Sequence, residues 1–138
     1  KYIAPQQIET ILGGDVFIEQ VAVIGNNRNY VTAIIAPNIE AIKGYAEQNG
    51  IKYEYVDELM DNPQVCKMME ERIAELQKDM APYEKIKKFR LIKRGFTIES
   101  GELTSTLKLR RVVILQNYAT MIEEMYNPVQ GPIGGYVK

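Results

Sequence analysis

The run Gly101-Glu102-Leu103-Thr104-Ser105-Thr106-Leu107-Lys108-Leu109-Arg110-Arg111 concentrates the chemistry of this sequence. A loop rich in glycine and hydroxyls leads straight into what reads as a helix. Lys108 stands at the junction, with Arg110 and Arg111 close behind. Neighbouring cations and the positive end of a helix dipole are poor company for a structural ammonium. They suit a lysine that reaches for an anion, either a carboxylate or a phosphate. A solvated lysine at a helix start fits the same residues, so residue types alone leave both readings open.

Little else in the chain offers chemistry. Histidine is absent, which removes imidazole bases, Ser-His triads and every histidine-containing metal site. Proton transfer would fall to carboxylates, lysine, tyrosine or Cys66. No P-loop, dinucleotide-binding glycine fingerprint, Cys-X-X-Cys pair or EF-hand loop is present, and no metal site is expected. The pairs Glu70-Glu71 and Glu123-Glu124 are adjacent on helices, so each points in two directions and reads as a solvated face. Cys66, the single cysteine, cannot form an internal disulfide, which suits a cytoplasmic chain. It has no cationic surroundings to lower its pKa and reads as inert.

The elements that must position Lys108 are legible in outline. Pro5 opens a helix whose Ile8, Ile11 and Leu12 share a face, and Gly13-Gly14 ends it. Ile18–Ile24 and Tyr30–Ala36 are β-branched runs around a Gly-Asn-rich turn, which predicts an antiparallel hairpin. Ile39–Gln48 is a short amphipathic helix, and Tyr53–Met60 offers at most one helical turn. Val65, Met69, Ile73, Leu76 and Met80 recur at helical spacing, a stripe that reads as core. Ile86–Ile92 predicts a third strand with a cationic outer edge. Lys93–Thr106 reads as loop and Leu109–Asn127 as one closing helix. Residues 128–138, with glycines and prolines, predict a loosely ordered tail. The sum is an α+β domain over 1–127, a small mixed sheet packed by helices.

Bulk properties agree. The 138 residues, 46% hydrophobic and 25% charged, make about one globular domain. A formal charge of -1 argues against a nucleic-acid coat. No apolar run is long enough to span a membrane. The neutral total hides two halves. Residues 47–79 carry nine acidic and four basic side chains, a local -5. Residues 84–111 carry nine basic and three acidic, a local +6. Such a basic stretch, over Lys85, Lys87, Lys88, Arg90, Lys93, Arg94, Lys108, Arg110 and Arg111, fits a solvated surface or a stand-alone anion-binding module. The first residue is Lys1 rather than methionine, which raises the expectation of a piece of something larger.

The signature Gly-Glu-Leu-Thr-X-Thr-Leu-Lys-Leu-Arg-Arg over 101–111 resembles the C-terminal motif of AMP-forming long-chain acyl-CoA synthetases, in the adenylate-forming superfamily. The opening Lys1-Tyr2-Ile3-Ala4-Pro5-Gln6-Gln7-Ile8-Glu9 resembles the end of that superfamily's hinge motif. The strands Val-Ala-Val-Ile-Gly and Tyr-Val-Thr-Ala-Ile-Ile-Ala-Pro, and the closing Tyr-X-X-Met-Ile-Glu-X-Met-Tyr, extend the match to about residue 127. Ser105 replaces the family's usual proline between the threonines.

The resemblance implies the mobile C-terminal lid of a larger enzyme. Such enzymes join a fatty acid to ATP, release pyrophosphate, and pass the acyl group from the adenylate to coenzyme A. The resemblance assigns the adenylation lysine to Lys108 and its delivery to the loop with Gly101, Glu102, Thr104 and Thr106. Lys1 and Tyr2 would lie on the coenzyme A side. ATP and coenzyme A would be substrates, with ATP, Mg2+ and the acyl chain held by an N-terminal domain of the same polypeptide, so the isolated chain is expected to bind no cofactor and to be inactive. The localisation implied is cytoplasmic, compatible with peripheral contact at a membrane.

Overall fold

The computed structural model describes residues 2–127 and 134–137. Helix α1 (Pro5–Gly13) begins on a proline, whose missing N–H costs nothing in a first turn, and buries Ile8 and Leu12. Strands β1 (Ile18–Ile24) and β2 (Val31–Pro37) pair antiparallel. Asn27, in the turn between them, takes the left-handed φ of 65° that asparagine tolerates. Helix α2 (Ile39–Gln48) is capped by Asn38, whose side chain accepts the Ala41 N–H. A 3-10 turn at Val56–Met60 leads to α3 (Pro63–Leu76), capped by Asn62. The chain then crosses to β3 (Ile86–Leu91), which lies parallel to β2. Helices α4 (Arg111–Asn117) and α5 (Ala119–Tyr126) follow, and β4 (Gly135–Tyr136) adds antiparallel to β3. The mixed sheet runs in the order β1-β2-β3-β4.

The sheet separates two apolar layers. On one face Val21, Val23, Ala33, Ile35, Phe89 and Leu91 meet Ile8, Leu12, Ile42, Val65, Met69 and Ile73 of α1, α2 and α3. On the other, Ala22, Ile24, Ile34, Ala36 and Ile92 meet Ile114, Ile122 and Met125 of α4 and α5. Alternate residues of a strand point to opposite faces, so β2, covered on both, is buried at all seven positions. The Met-bearing stripe of α3 is core: Met69 and Ile73 are fully enclosed.

Four details differ from the pattern-based expectation. First, the closing helix starts at Arg111 rather than Leu109, because Leu109 and Arg110 are used by a β-like bridge to the preceding loop. Second, it steps at Tyr118, between α4 and α5. A straight helix would set Ile114 and Ile122 about 80° apart, and the step seats both on the sheet. Third, the outer edge of β3 is covered at Lys88 and Phe89, where β4 pairs with it. Fourth, the expected loose tail contains β4 at Gly135–Tyr136, whose Tyr136 N–H also donates to Glu70 at 3.2 Å. Residues 128–133 and 138 lie outside the described residues, as does Lys1.

Candidate functional site

The segment after β3 returns to the sheet and then forms a tight hairpin carrying Lys108. Its root is held by Gln20 of β1. The Gln20 amide accepts the Phe96 N–H at 2.6 Å and donates to the Phe96 carbonyl at 2.9 Å, as a strand neighbour would. Gly95 permits this approach, since a Cβ there would come within 2.1 Å of the Gln20 carbonyl oxygen. Gly101 turns the chain with a φ of +80°, a conformation suited to glycine. Leu103 then inserts into the second core and accepts register from Thr97, its N–H reaching the Thr97 carbonyl at 3.0 Å.

The tip spans Thr104 to Lys108. The Thr104 N–H donates to the Lys108 carbonyl at 2.8 Å, and the Lys108 N–H donates back to the Thr104 hydroxyl at 3.0 Å. Leu107 N–H closes the turn on the Thr104 carbonyl at 2.8 Å, with Leu107 at a φ of +65°. The Thr104 and Thr106 hydroxyls lie 3.1 Å apart. Leu103 and Leu109 face each other as an antiparallel bridge. The threonines therefore brace the turn, and the Lys108 side chain is left exposed. Among the described residues no carboxylate pairs with its ammonium. An unpaired cation on a braced turn can meet an anion brought from outside without first breaking an internal ion pair.

Gly101 and Glu102 occupy the base rather than the tip. Glu102 is only 5% exposed. Its carboxylate lies 2.9 Å from the Ser100 hydroxyl and accepts from the Asn117 amide at 2.9 Å, while its carbonyl accepts the Arg110 N–H at 2.8 Å. Glu102 thus ties the hairpin to α4. Lys108 sits three residues before that helix, so the dipole argument for its position does not apply. The lysine is presented by a turn instead.

Tyr2 is 85% exposed and next to Ile3, whose N–H donates to the Asn26 side chain at 3.2 Å. An apolar groove of about 110 Å³ lies between this leading segment and α4, lined by Pro5, Ala22, Ile24, Arg111, Ile114 and Leu115. Pockets that enclose small ligands run from about 300 Å³, so this groove does not enclose a nucleotide.

The basic stretch 85–111 is not one face. Arg90 pairs with Glu124 at 2.8 Å, Lys93 with Asp57 at 2.8 Å, and Arg111 with Glu9 at 2.5 Å. The Lys88 ammonium lies over the Tyr30 ring, 5.5 Å from its centre. Among the described residues no group of three or more Cys, Asp or Glu side chains could hold a metal ion. Sequence reasoning missed the supports of the hairpin: Gln20, Asn117 and Glu9. Each is an ordinary polar residue in sequence, and only long-range pairing would have revealed it.

Comparison with known proteins adds independent information. Residues 1–130 match the family described as the AMP-binding enzyme C-terminal domain. The chain is similar to a long-chain-fatty-acid–CoA ligase of Mycobacterium tuberculosis, 30% identical over 128 residues, 92% of this chain and 21% of that protein. It is 32% identical over 129 residues to a peroxisomal long-chain acyl-CoA synthetase of Arabidopsis thaliana, covering 91% of this chain and 18% of that one. A human long-chain-fatty-acid–CoA ligase is 30% identical over 133 residues, 94% of this chain and 19% of that protein. Among solved structures, the adenylation domain of a carboxylate reductase from Mycobacterium chelonae gives a TM-score of 0.73 at 26% identity, covering 91% of this chain and 18% of that one. The A-PCP didomain of a carboxylic acid reductase from Segniliparus rugosus in complex with AMP gives 0.75 at 22% identity, over 93% of this chain and 16% of that one, a likeness of fold. The chain spans only 18–21% of the length of these curated relatives.

Proposed function

Since the chain belongs to the family of AMP-binding enzyme C-terminal domains, we propose that it is the catalytic lid of a long-chain fatty acid–CoA ligase. The observation that carries the proposal is Lys108, an exposed cation without a carboxylate partner among the described residues, held at the tip of a braced hairpin within the 101–111 signature. The ligase names of its relatives support the substrate class.

In this reading a fatty acid carboxylate attacks the α-phosphorus of ATP, pyrophosphate leaves, and the acyl-adenylate forms. Charge moves from the carboxylate onto the phosphoryl oxygens as the bond forms. Lys108 binds both sets of oxygens and stabilises the charge where it develops. A compact ammonium suits an anion whose charge shifts during the step. Coenzyme A then attacks the acyl carbon through its thiol and AMP leaves. The Lys1–Tyr2 side of the domain faces coenzyme A in that second step. ATP, Mg2+ and the acyl chain belong to the N-terminal domain of the same polypeptide, and the isolated chain makes no acyl-CoA. The placement that goes with this reading is cytoplasmic, and it is compatible with peripheral contact at a membrane. Among the described residues no helix is long and apolar enough to cross a membrane.

The test is Lys108→Ala in the enclosing enzyme. Adenylation, read by pyrophosphate exchange, should fall about 100-fold or more. Thioester formation from supplied acyl-adenylate should change only a few-fold. Survival of both half-reactions would overturn the assignment.

A further inference from the structure

Glu9 and Arg111 stand 102 residues apart in the chain and meet in a two-pronged ion pair. Arg111 Nη1 donates to Glu9 Oε2 at 2.8 Å and Nη2 to Oε1 at 2.5 Å. The same Glu9 Oε2 accepts the Val23 N–H at 2.8 Å, and Arg111 Nη1 also reaches the Val23 carbonyl at 3.3 Å. Val23 lies on β1, an edge strand, and the pair occupies both backbone groups that this residue turns outward. Three elements, α1, β1 and α4, are therefore fastened at one point. The Glu9 side chain is 12% exposed, so its charge is partly removed from water and depends on its partner.

We infer that the Glu9–Arg111 pair is the positioning link that sets how Lys108 is presented relative to the leading segment of the domain. Arg111 is the first residue of α4, three positions after Lys108, and the preceding Arg110 N–H closes the hairpin on the Glu102 carbonyl. Glu9 lies in α1, directly after the leading segment through Ile3. Movement of α1 and the leading segment thus bears on the segment after Lys108 through a contact of defined direction, beside the Gln20 and Asn117 supports of the hairpin. A planar guanidinium fork on a carboxylate has essentially one good geometry, which an apolar contact or a lysine would not impose. The inference rests on the reading of Lys108 as the adenylation cation. Arg111 is a positioning residue in it, since nothing requires it to touch substrate.

The experiment compares Arg111→Lys, Glu9→Gln, Asp15→Asn and Lys108→Ala in the enclosing enzyme. Asp15 supplies the control because it forms a two-pronged pair with Arg72, through Nε to Oδ2 and Nη2 to Oδ1, in another part of the domain. Arg111→Lys and Glu9→Gln should each lower kcat for adenylation about 10-fold or more, since small misplacements of a catalytic group cost that much. KM for ATP and fatty acid should stay within about threefold, because ground-state binding is untouched. Asp15→Asn should lower stability without changing adenylation kcat. In this chain, amide exchange at Lys108 and Arg110 should quicken in Arg111→Lys and not in Asp15→Asn. Unchanged adenylation in Arg111→Lys beside a crippled Lys108→Ala overturns the inference alone. Equal losses in Arg111→Lys and Asp15→Asn, tracking lost stability, also overturn it. An active Lys108→Ala overturns the underlying reading and this inference with it.

Discussion

The Asn117 amide of α4 donates to the Glu102 carboxylate at 2.9 Å and so joins the closing helix to the base of the Lys108 hairpin. A carboxylate this buried needs its donors. Glu102→Ala leaves the Asn117 amide without its acceptor and should cost about 2 kcal/mol of stability. Glu102→Gln keeps the length and an acceptor for Asn117, its NH2 facing the Ser100 hydroxyl, which can accept, and should cost less. Denaturant midpoints of the two variants and the parent chain check the order. Equal stability in all three would show that the clamp contributes nothing.

Gly135 rests against the ring of Phe89. A Cβ there would lie 1.9 Å from the ring's Cζ, and the two residues are register partners of β4 and β3. Gly135→Ala must therefore displace either the strand or a fully buried phenylalanine. Overpacking of this kind costs about 1–3 kcal/mol. Thermal denaturation reads the loss, and a Gly44→Ala control, with nothing within 4 Å of the added carbon, should be neutral or stabilising.

Acid should weaken the link between α3 and the turn before β1. The Arg72 guanidinium, hydrogen-bonded to Asp15, holds that carboxyl below the usual aspartate range, and the Phe17 N–H adds to the effect against the opposing cost of burial. A carboxylate with a lowered folded pKa stabilises fully above its unfolded pKa, about 3.9. The contribution fades as pH falls through the lower folded value. Asp15→Asn should thus cost about 1 kcal/mol at pH 7. Its gap from the parent should narrow below about pH 4. Urea titrations at neutral and acid pH give both numbers. A gap that stays constant would contradict the assignment.

Cys66 should resist alkylation. Its thiol is buried and donates to the Met60 carbonyl at 3.5 Å. Burial, with the charges of Asp61 and Glu70 adding, pushes its pKa up to about 11. At pH 8 only roughly one thiol in a thousand is the reactive thiolate. Iodoacetamide at pH 8 should label the folded chain at least about 100-fold more slowly than the denatured chain. Labelling at the denatured rate would mean that the α3 face opens readily.

Local order was readable where one residue type decides it. Pro5 and Pro63 start helices, and hydrophobic spacing placed Met69 and Ile73 in the core. The boundary at Arg111 was not readable. Leu109 and Arg110 fit a helix by pattern, and a backbone bond to Glu102 takes them out of it. The +6 of residues 84–111 likewise left a solvated surface and an anion-binding module both open. The fold sends Arg90, Lys93 and Arg111 to different acidic partners.

The sequence by itself determined the α+β class, because strand and helix periodicities and turn residues act over a few neighbours. It also determined the family, through motifs at its two ends. Tertiary structure alone decided that those ends meet, with Glu9 locked to Arg111 across β1. It also decided that Lys108 stands on a braced turn rather than at a helix start, with no carboxylate partner among the described residues. Such pairings join residues about a hundred positions apart. The burial that makes them strong arises only once the sheet and its two helical layers have assembled.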